Sequence, residues 1–247
     1  MVNFMKEKRT LESIYSILGY IGIYYIFGII IQLLFSKLFK GNLVGYQAVT
    51  NFTIYLVMTV VLVLINKQDL TDSFKRLKKD KNPISKIFIA LFCVYFSSYV
   101  ISVLSEIISH YANFTHFIFD GKYYIDTTSD NQNSIVIMVK SEYGILMFIS
   151  AALLGPICEE LMYRKGLMGI IKKEEISVII SSVLFSLVHI ISSFGSYNLI
   201  SLILMFLSYF ISGLAFALIY YKTKNIWYST FAHMIYNTIA MLSILVL

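Results

Sequence analysis

Residues 143–171 read YGILMFISAALLGPICEELMYRKGLMGII. The run is longer than the roughly 20 helical residues needed to cross a hydrocarbon layer of about 30 Å. Inside it stand two adjacent carboxylates, Glu159 and Glu160, and a cation, Arg164. A charge at such depth costs at least a few kcal/mol, and it survives where it is paired, wetted or functional. This stretch therefore reads as a transmembrane helix built around a polar centre.

The rest of the chain agrees. Of its 247 residues, 58% are apolar and 14% charged, and the mean hydropathy is +0.75. That is more apolar surface than a water-soluble fold of this length can hide. Further spanning runs lie near 13–36, 44–66, 87–109, 176–191, 199–221 and 226–247. The expected fold is all-α: a polytopic bundle of about seven transmembrane helices around a polar intramembrane cavity. It forms a single membrane domain, 1–247, whose motif-bearing core covers about 143–245. The first run follows Lys6, Lys8 and Arg9, as a signal peptide would, but its length and the lack of a small-x-small cleavage site mark an uncleaved span.

The net charge of +6 suggests a nucleic-acid partner only until the basic residues are located. They cluster between the apolar runs. With a cytoplasmic N-terminus, the inner side receives Lys6, Lys8 and Arg9, the seven basic residues from Lys67 to Lys86, then Arg164, Lys165, Lys172, Lys173, Lys222 and Lys224. Only Lys37, Lys40, Lys122 and Lys140 fall outside. The positive-inside rule selects this orientation, and the expected location is a bacterial cell membrane. The segment KQDLTDSFKRLKKDKNPISK (67–86) reads as a solvated, topology-setting loop, with contact to anionic headgroups as its second reading. The outer segment 110–142, with its polar stretch DGKYYIDTTSDNQNS, is too hydrophilic to insert. The two cysteines, Cys93 and Cys158, lie in apolar runs and read as packing residues.

Glu160 and Arg164 stand at i and i+4, the favourable order for an ion pair that fixes a helix. Glu159 lies about 100° round the helix, with no basic residue at i+3 or i+4, and is left to find another partner. His110 and His116 fall outside the membrane, whereas His189 and His233 are intrahelical. Either alone reads as a hydrogen-bonded core residue; both together with Glu159 suggest a site. Depth is compatible. Glu159 is 12 residues above the helix end at Ile171 and His189 is 13 above Ile176, so both sit roughly 18–20 Å along their helices at 1.5 Å per residue. His233 and Asn237, one turn apart, lie roughly 10–17 Å into the last helix. Gly155 and Pro156 precede the acidic pair, where the proline either bends the helix toward the site or is an ordinary transmembrane proline.

Chemically, the set is sufficient for amide hydrolysis. Glu159 serves as base and His189 as its partner, while His233 and the Asn237 amide supply two donors to an oxyanion. Phe185, one turn before His189, supports it together with Glu160 and Arg164. Glu159, His189 and His233 are also the three ligands a zinc ion would take, although H-E-x-x-H is absent. Cys158 adjoins Glu159 but has no adjacent base to activate it.

In order and spacing, Glu159-Glu160-x-x-x-Arg164, Phe185-x-x-x-His189 and His233-x-x-x-Asn237 resemble the CPBP family, which includes the type II CAAX prenyl endopeptidases and the bacterial Abi proteins. The resemblance covers roughly 150–240, and GLAFALIYYKTKNIWYSTFAHMIYN also looks like the family's closing helices. It implies an intramembrane CAAX-type endopeptidase in which Glu159 and His189 activate water and His233 and Asn237 stabilise the oxyanion, with no catalytic metal. The substrate would be a membrane-associated peptide or lipidated protein. One departure is Lys165, which separates Arg164 from Gly166 where many members have glycine directly after the arginine. The alternative is a non-catalytic immunity or scaffold protein of the same fold. A proton relay is a third reading, but no paired halves are visible.

Overall fold

The computed structural model describes residues 2–112, 117–119, 122–124 and 128–246. His116 lies outside them, as do the side chains of His110, Lys6, Lys8 and Arg9. Among the described residues, seven helices are long and apolar enough to cross a membrane: α1 (Thr10–Leu38), α2 (Leu43–Ile65), α4 (Pro83–Ile108), α6 (Gly144–Ile170), α7 (Glu174–Ser193), α8 (Leu199–Thr223) and α9 (Ile226–Val246). Large apolar side chains such as Ile26, Leu33, Phe88, Phe92 and Val188 point outward. Their exposure is what a lipid solvent favours.

Two segments differ from the sequence expectation. The basic stretch expected to be a loop is a helix, α3 (Lys67–Lys78), capping one end of the bundle. Trp227 Nε1 donates to the Leu70 carbonyl at 2.9 Å, Asn225 Nδ2 to the Ser73 carbonyl at 2.9 Å, and Asp69 pairs with Lys165 at 2.9 Å. Just beyond it, Asp80 accepts from Lys86 and Tyr228, and these donors hold its carboxyl below the usual carboxylate range. The outer segment, to which the sequence assigns no element, contains α5 (Asp130–Val139), whose Met138 and Val139 are buried against Ala48, Met147, Ala152 and Met241. Its first half is polar and its second half apolar, so whole-segment hydropathy averages the difference away. A short antiparallel ribbon, β1 (Phe117–Phe119) with β2 (Lys122–Tyr124), is the other addition to an otherwise helical fold.

α6 and α9 are central. One core cluster joins Tyr20 of α1 and Met58 and Leu62 of α2 to Cys158 and Leu161 of α6 and Ile226 of α9. Another joins Ala90 and Val94 of α4 to Phe216 of α8 and to Tyr228 and Ala232 of α9. With no hydrophobic drive between helices in lipid, close approach depends on small side chains. α7 supplies a buried row, Ser177, Ser181, Ser182 and Ser186, and α6 supplies Gly166 and Gly169 against α1. A Cβ on Gly169 would stand 2.2 Å from Ser13 Oγ and 3.1 Å from Ser13 Cβ.

Gly169→Leu is therefore expected to pry α1 from α6 and lower stability by about 1–3 kcal/mol, the usual cost of overpacking. Gly22→Leu, where nothing lies within 4 Å, leaves the unfolding midpoint where it was. Thermal unfolding of both variants in detergent checks the pair.

Candidate active site

The site starts from the backbone of α6. Two π-helical segments, Ser150–Leu154 and Leu161–Leu167, flank the single α-helical stretch Gly155–Glu160 that carries the acidic pair. In the first, Gly155 N–H bonds back to the Ser150 carbonyl, five residues earlier. The next donor in that pattern would be Pro156, bonding to Ala151, and proline has no N–H. The freed Ala151 carbonyl is taken by another helix: Asn237 Nδ2 of α9 donates to it at 2.8 Å. Pro156 thus creates the acceptor that holds the Asn237 side chain.

Glu160 and Arg164 form the ion pair expected of i and i+4, with Nε to Oε2 at 3.2 Å and both side chains fully buried. The arginine spends its other donors across the bundle, on Ser181 Oγ of α7 at 2.7 Å and the Gly213 carbonyl of α8 at 3.2 Å. The other oxygen of Glu160 lies 3.1 Å from Nδ1 of His233 on α9. Four spans are tied to one charge pair, in which Nε and Oε2 face each other as an ion pair without hydrogen-bond geometry.

Glu159 points elsewhere, as its helical angle requires. Its Oε2 lies 3.7 Å from His233 Nε2 and 4.0 Å from His189 Nε2. These gaps are longer than hydrogen bonds. A single water can bridge two polar groups at such a separation. The Glu159 and His189 side chains retain 12% and 17% exposure, against none for Glu160 and Arg164, so the first pair is the one a reactant can reach. His189 Nδ1 lies 2.8 Å from the Phe185 carbonyl, which only accepts, so Nδ1 carries the proton and Nε2 faces Glu159 with its lone pair in the neutral ring.

Aromatic rings set the imidazole planes. Phe185 lies between the two histidines, 4.4 Å from His189 and 5.8 Å from His233 by centroid. Phe216 stacks on His233 at 4.5 Å and Tyr209 leans on His189 at 4.6 Å. Phe185 also lies under the Arg164 guanidinium, 5.4 Å away. Gly213 leaves room for this arrangement, since a Cβ there would stand 3.0 Å from Phe185 Cδ1.

Glu159, His189 and His233 are thus brought together, with Glu160, Arg164 and Phe185 around them. Asn237 is drawn to Ala151 on the neighbouring wall. Two features depart from the sequence reading. His233, assigned only to the oxyanion, bridges both glutamates and lies nearer Glu159 than His189 does. Phe216, Tyr209, Gly213 and Ser181 were not singled out, because an apolar helix rich in aromatic and small residues marks none of them. Among the described residues no group of three or more His, Cys, Asp or Glu is arranged to hold a metal ion. Ligands about 2.1 Å from a tetrahedral zinc would lie roughly 3.4 Å apart, closer than Glu159 lies to either histidine.

Comparison with known proteins follows the same residues. Residues 141–239 match the family model "Type II CAAX prenyl endopeptidase Rce1-like". A Bacillus subtilis (strain 168) protein named "Putative membrane peptidase YdiL" is 26% identical over 235 residues, covering 92% of this chain and 86% of that one. An uncharacterized protein of Mycoplasma capricolum subsp. capricolum is 31% identical over 124 residues, 47% of this chain and 34% of that protein. No solved structure matches. The matched segment contains Glu159, His189, His233 and Asn237 on three separate spans, and over it the chain is similar to the Rce1-like type II CAAX prenyl endopeptidases.

Proposed function

We propose that the protein is an intramembrane endopeptidase that hydrolyses a peptide bond in a membrane-anchored or amphipathic peptide or a lipidated protein, with Glu159 as the general base. The observation that carries the reading is the convergence of Glu159, His189 and His233 from α6, α7 and α9 within 4.0 Å of one carboxylate oxygen.

In the proposed reaction a water lodged beside Glu159 and His189 gives its proton to the Glu159 carboxylate, and its oxygen bonds to the scissile carbonyl carbon. The carbonyl π-electrons move to oxygen. His233, held through Nδ1–H by Glu160, presents Nε2 to that oxyanion. With both its nitrogens protonated it donates there. The second amide proton of Asn237 is the other donor. Collapse of the intermediate breaks the C–N bond as Glu159 returns the proton to the leaving amine, giving a carboxylic acid and an amine. No step is assigned to a metal. In this reading the basic end of the bundle, with α3, faces the cytoplasm of a bacterial cell, an orientation that the charge asymmetry of the loops supports.

Purified protein in lipid, assayed on a panel of membrane-anchored peptides, is expected to lose at least about 10³-fold in kcat with Glu159→Gln, through loss of the base and its proton transfer. A chelator leaves the parent rate unchanged. Full activity of the variant would remove Glu159 as the base, absence of cleavage by the parent would leave the non-catalytic scaffold reading in its place, and loss of activity with chelator would redirect the mechanism to a metal.

Pro156→Ala restores an N–H aimed at the Ala151 carbonyl and competes with Asn237 for it. The expected result is a fall in kcat of about tenfold to a hundredfold with KM nearly unchanged, because a donor is misplaced and no substrate contact is removed. Steady-state kinetics of this variant on the same peptides checks it.

A further inference from the structure

A groove of about 510 Å³ opens between α3 and the ends of α2, α6 and α9, away from the carboxylate site. That volume lies within the roughly 300–1,000 Å³ that accommodates one small ligand. Its inner wall is apolar, formed chiefly by Ile157, Leu161 and Trp227, and its rim carries Lys67, Lys75 and Lys78 with no carboxylate among the lining residues. The lysines share a face because steps of 8 and 3 residues along a helix bring side chains to within about 80° of one another. Trp227, the second residue of α9, and Ile157, 13 residues before the end of α6, pack on the same buried cluster as Leu161, so the wall runs inward from the membrane surface. An opening that is cationic at the membrane surface and apolar at depth has the polarity of a phospholipid, with phosphate outside and an acyl chain inside.

We propose that this groove binds one anionic phospholipid of the surrounding bilayer, its phosphate among Lys67, Lys75 and Lys78 and one acyl chain along Ile157, Leu161 and Trp227. The helix α3 is what makes the site, since it lays the three cations over a gap between spans that lipid chains reach laterally. Its docking onto α9 through Trp227 and Asn225, and onto α6 through Asp69 and Lys165, fixes the rim in place. The lipid also braces the site helices. Ile157 and Leu161 flank Glu159 and Glu160 in sequence, and Trp227 stands six residues before His233 on α9. Lipid binding itself does not rest on the peptidase reading.

The test uses the full chain in a neutral detergent, titrated with phosphatidylglycerol, with phosphatidylcholine of the same acyl chains, or with inorganic phosphate, while thermal unfolding and lipid retention by native mass spectrometry are followed. Phosphatidylglycerol is expected to raise the unfolding midpoint saturably by several degrees and to be retained at one equivalent; phosphatidylcholine and inorganic phosphate are expected to do neither. The Lys67→Gln/Lys75→Gln/Lys78→Gln variant loses both effects. Thr71→Trp, which fills the mouth from an exposed position and keeps every lysine, loses the retained lipid. Equal effects of the two lipids, reproduction of the midpoint shift by inorganic phosphate alone, or retention of phosphatidylglycerol by both variants would overturn the proposal.

Discussion

The Glu160–Arg164 pair is the constraint on which the rest of the bundle depends. Both side chains are fully buried, and the guanidinium also reaches Ser181 on α7 and Gly213 on α8 while the carboxylate reaches His233 on α9. A buried pair is not by itself a source of stability, because desolvation offsets most of the attraction. What it does is select an arrangement. Any register of α6, α7, α8 and α9 that separates these groups leaves an uncompensated charge in an apolar medium, so alternative packings are far less favourable than the observed one. The apolar clusters around the pair are adaptable by comparison.

Once Glu160 is committed, its neighbour is defined by what it lacks. Glu159 has no cation at i+3 or i+4 on its own helix, faces two imidazoles at separations too long for hydrogen bonds, and keeps some exposure. The same helix that holds one carboxylate immobile offers the next one to a reactant, because adjacent residues diverge by about 100°. The π segments on either side extend the argument to the backbone. A proline placed where a π turn needs a donor frees the Ala151 carbonyl, and Asn237 occupies it. Site geometry here comes from backbone irregularity as much as from side chains.

Much of this was legible in the sequence, and unevenly so. The seven spans follow from hydropathy and length, and the Glu160–Arg164 pair from i,i+4 spacing. The approach of Glu159, His189 and His233 follows from counting residues along three helices. Distances between helices do not follow from spacing within them, so the bridge from Glu160 to His233 and the stacking of Phe216 stayed hidden. α3 was mistaken for a loop because its charges weigh against it in any hydropathy reading. In fact its apolar residues Leu70 and Phe74 fall on one side, against Trp227. α5 was missed for a similar reason, since only its second half is apolar. The resemblance carried by the three motifs reached the family but not these contacts, which depend on residues outside the motifs.

The account assigns the two adjacent glutamates opposite tasks, structural for Glu160 and chemical for Glu159. Equilibrium unfolding in detergent of Glu159→Gln, Glu160→Gln and the double variant Glu160→Leu/Arg164→Met tests this most directly. The expected result is that Glu159→Gln stays within about 1 kcal/mol of the parent and Glu160→Gln loses about 3–5 kcal/mol, because Arg164 is left buried without its partner. The double variant should recover most of that loss by removing both charges. Equal stability of the two single variants, or a double variant no more stable than Glu160→Gln, would contradict the division of labour.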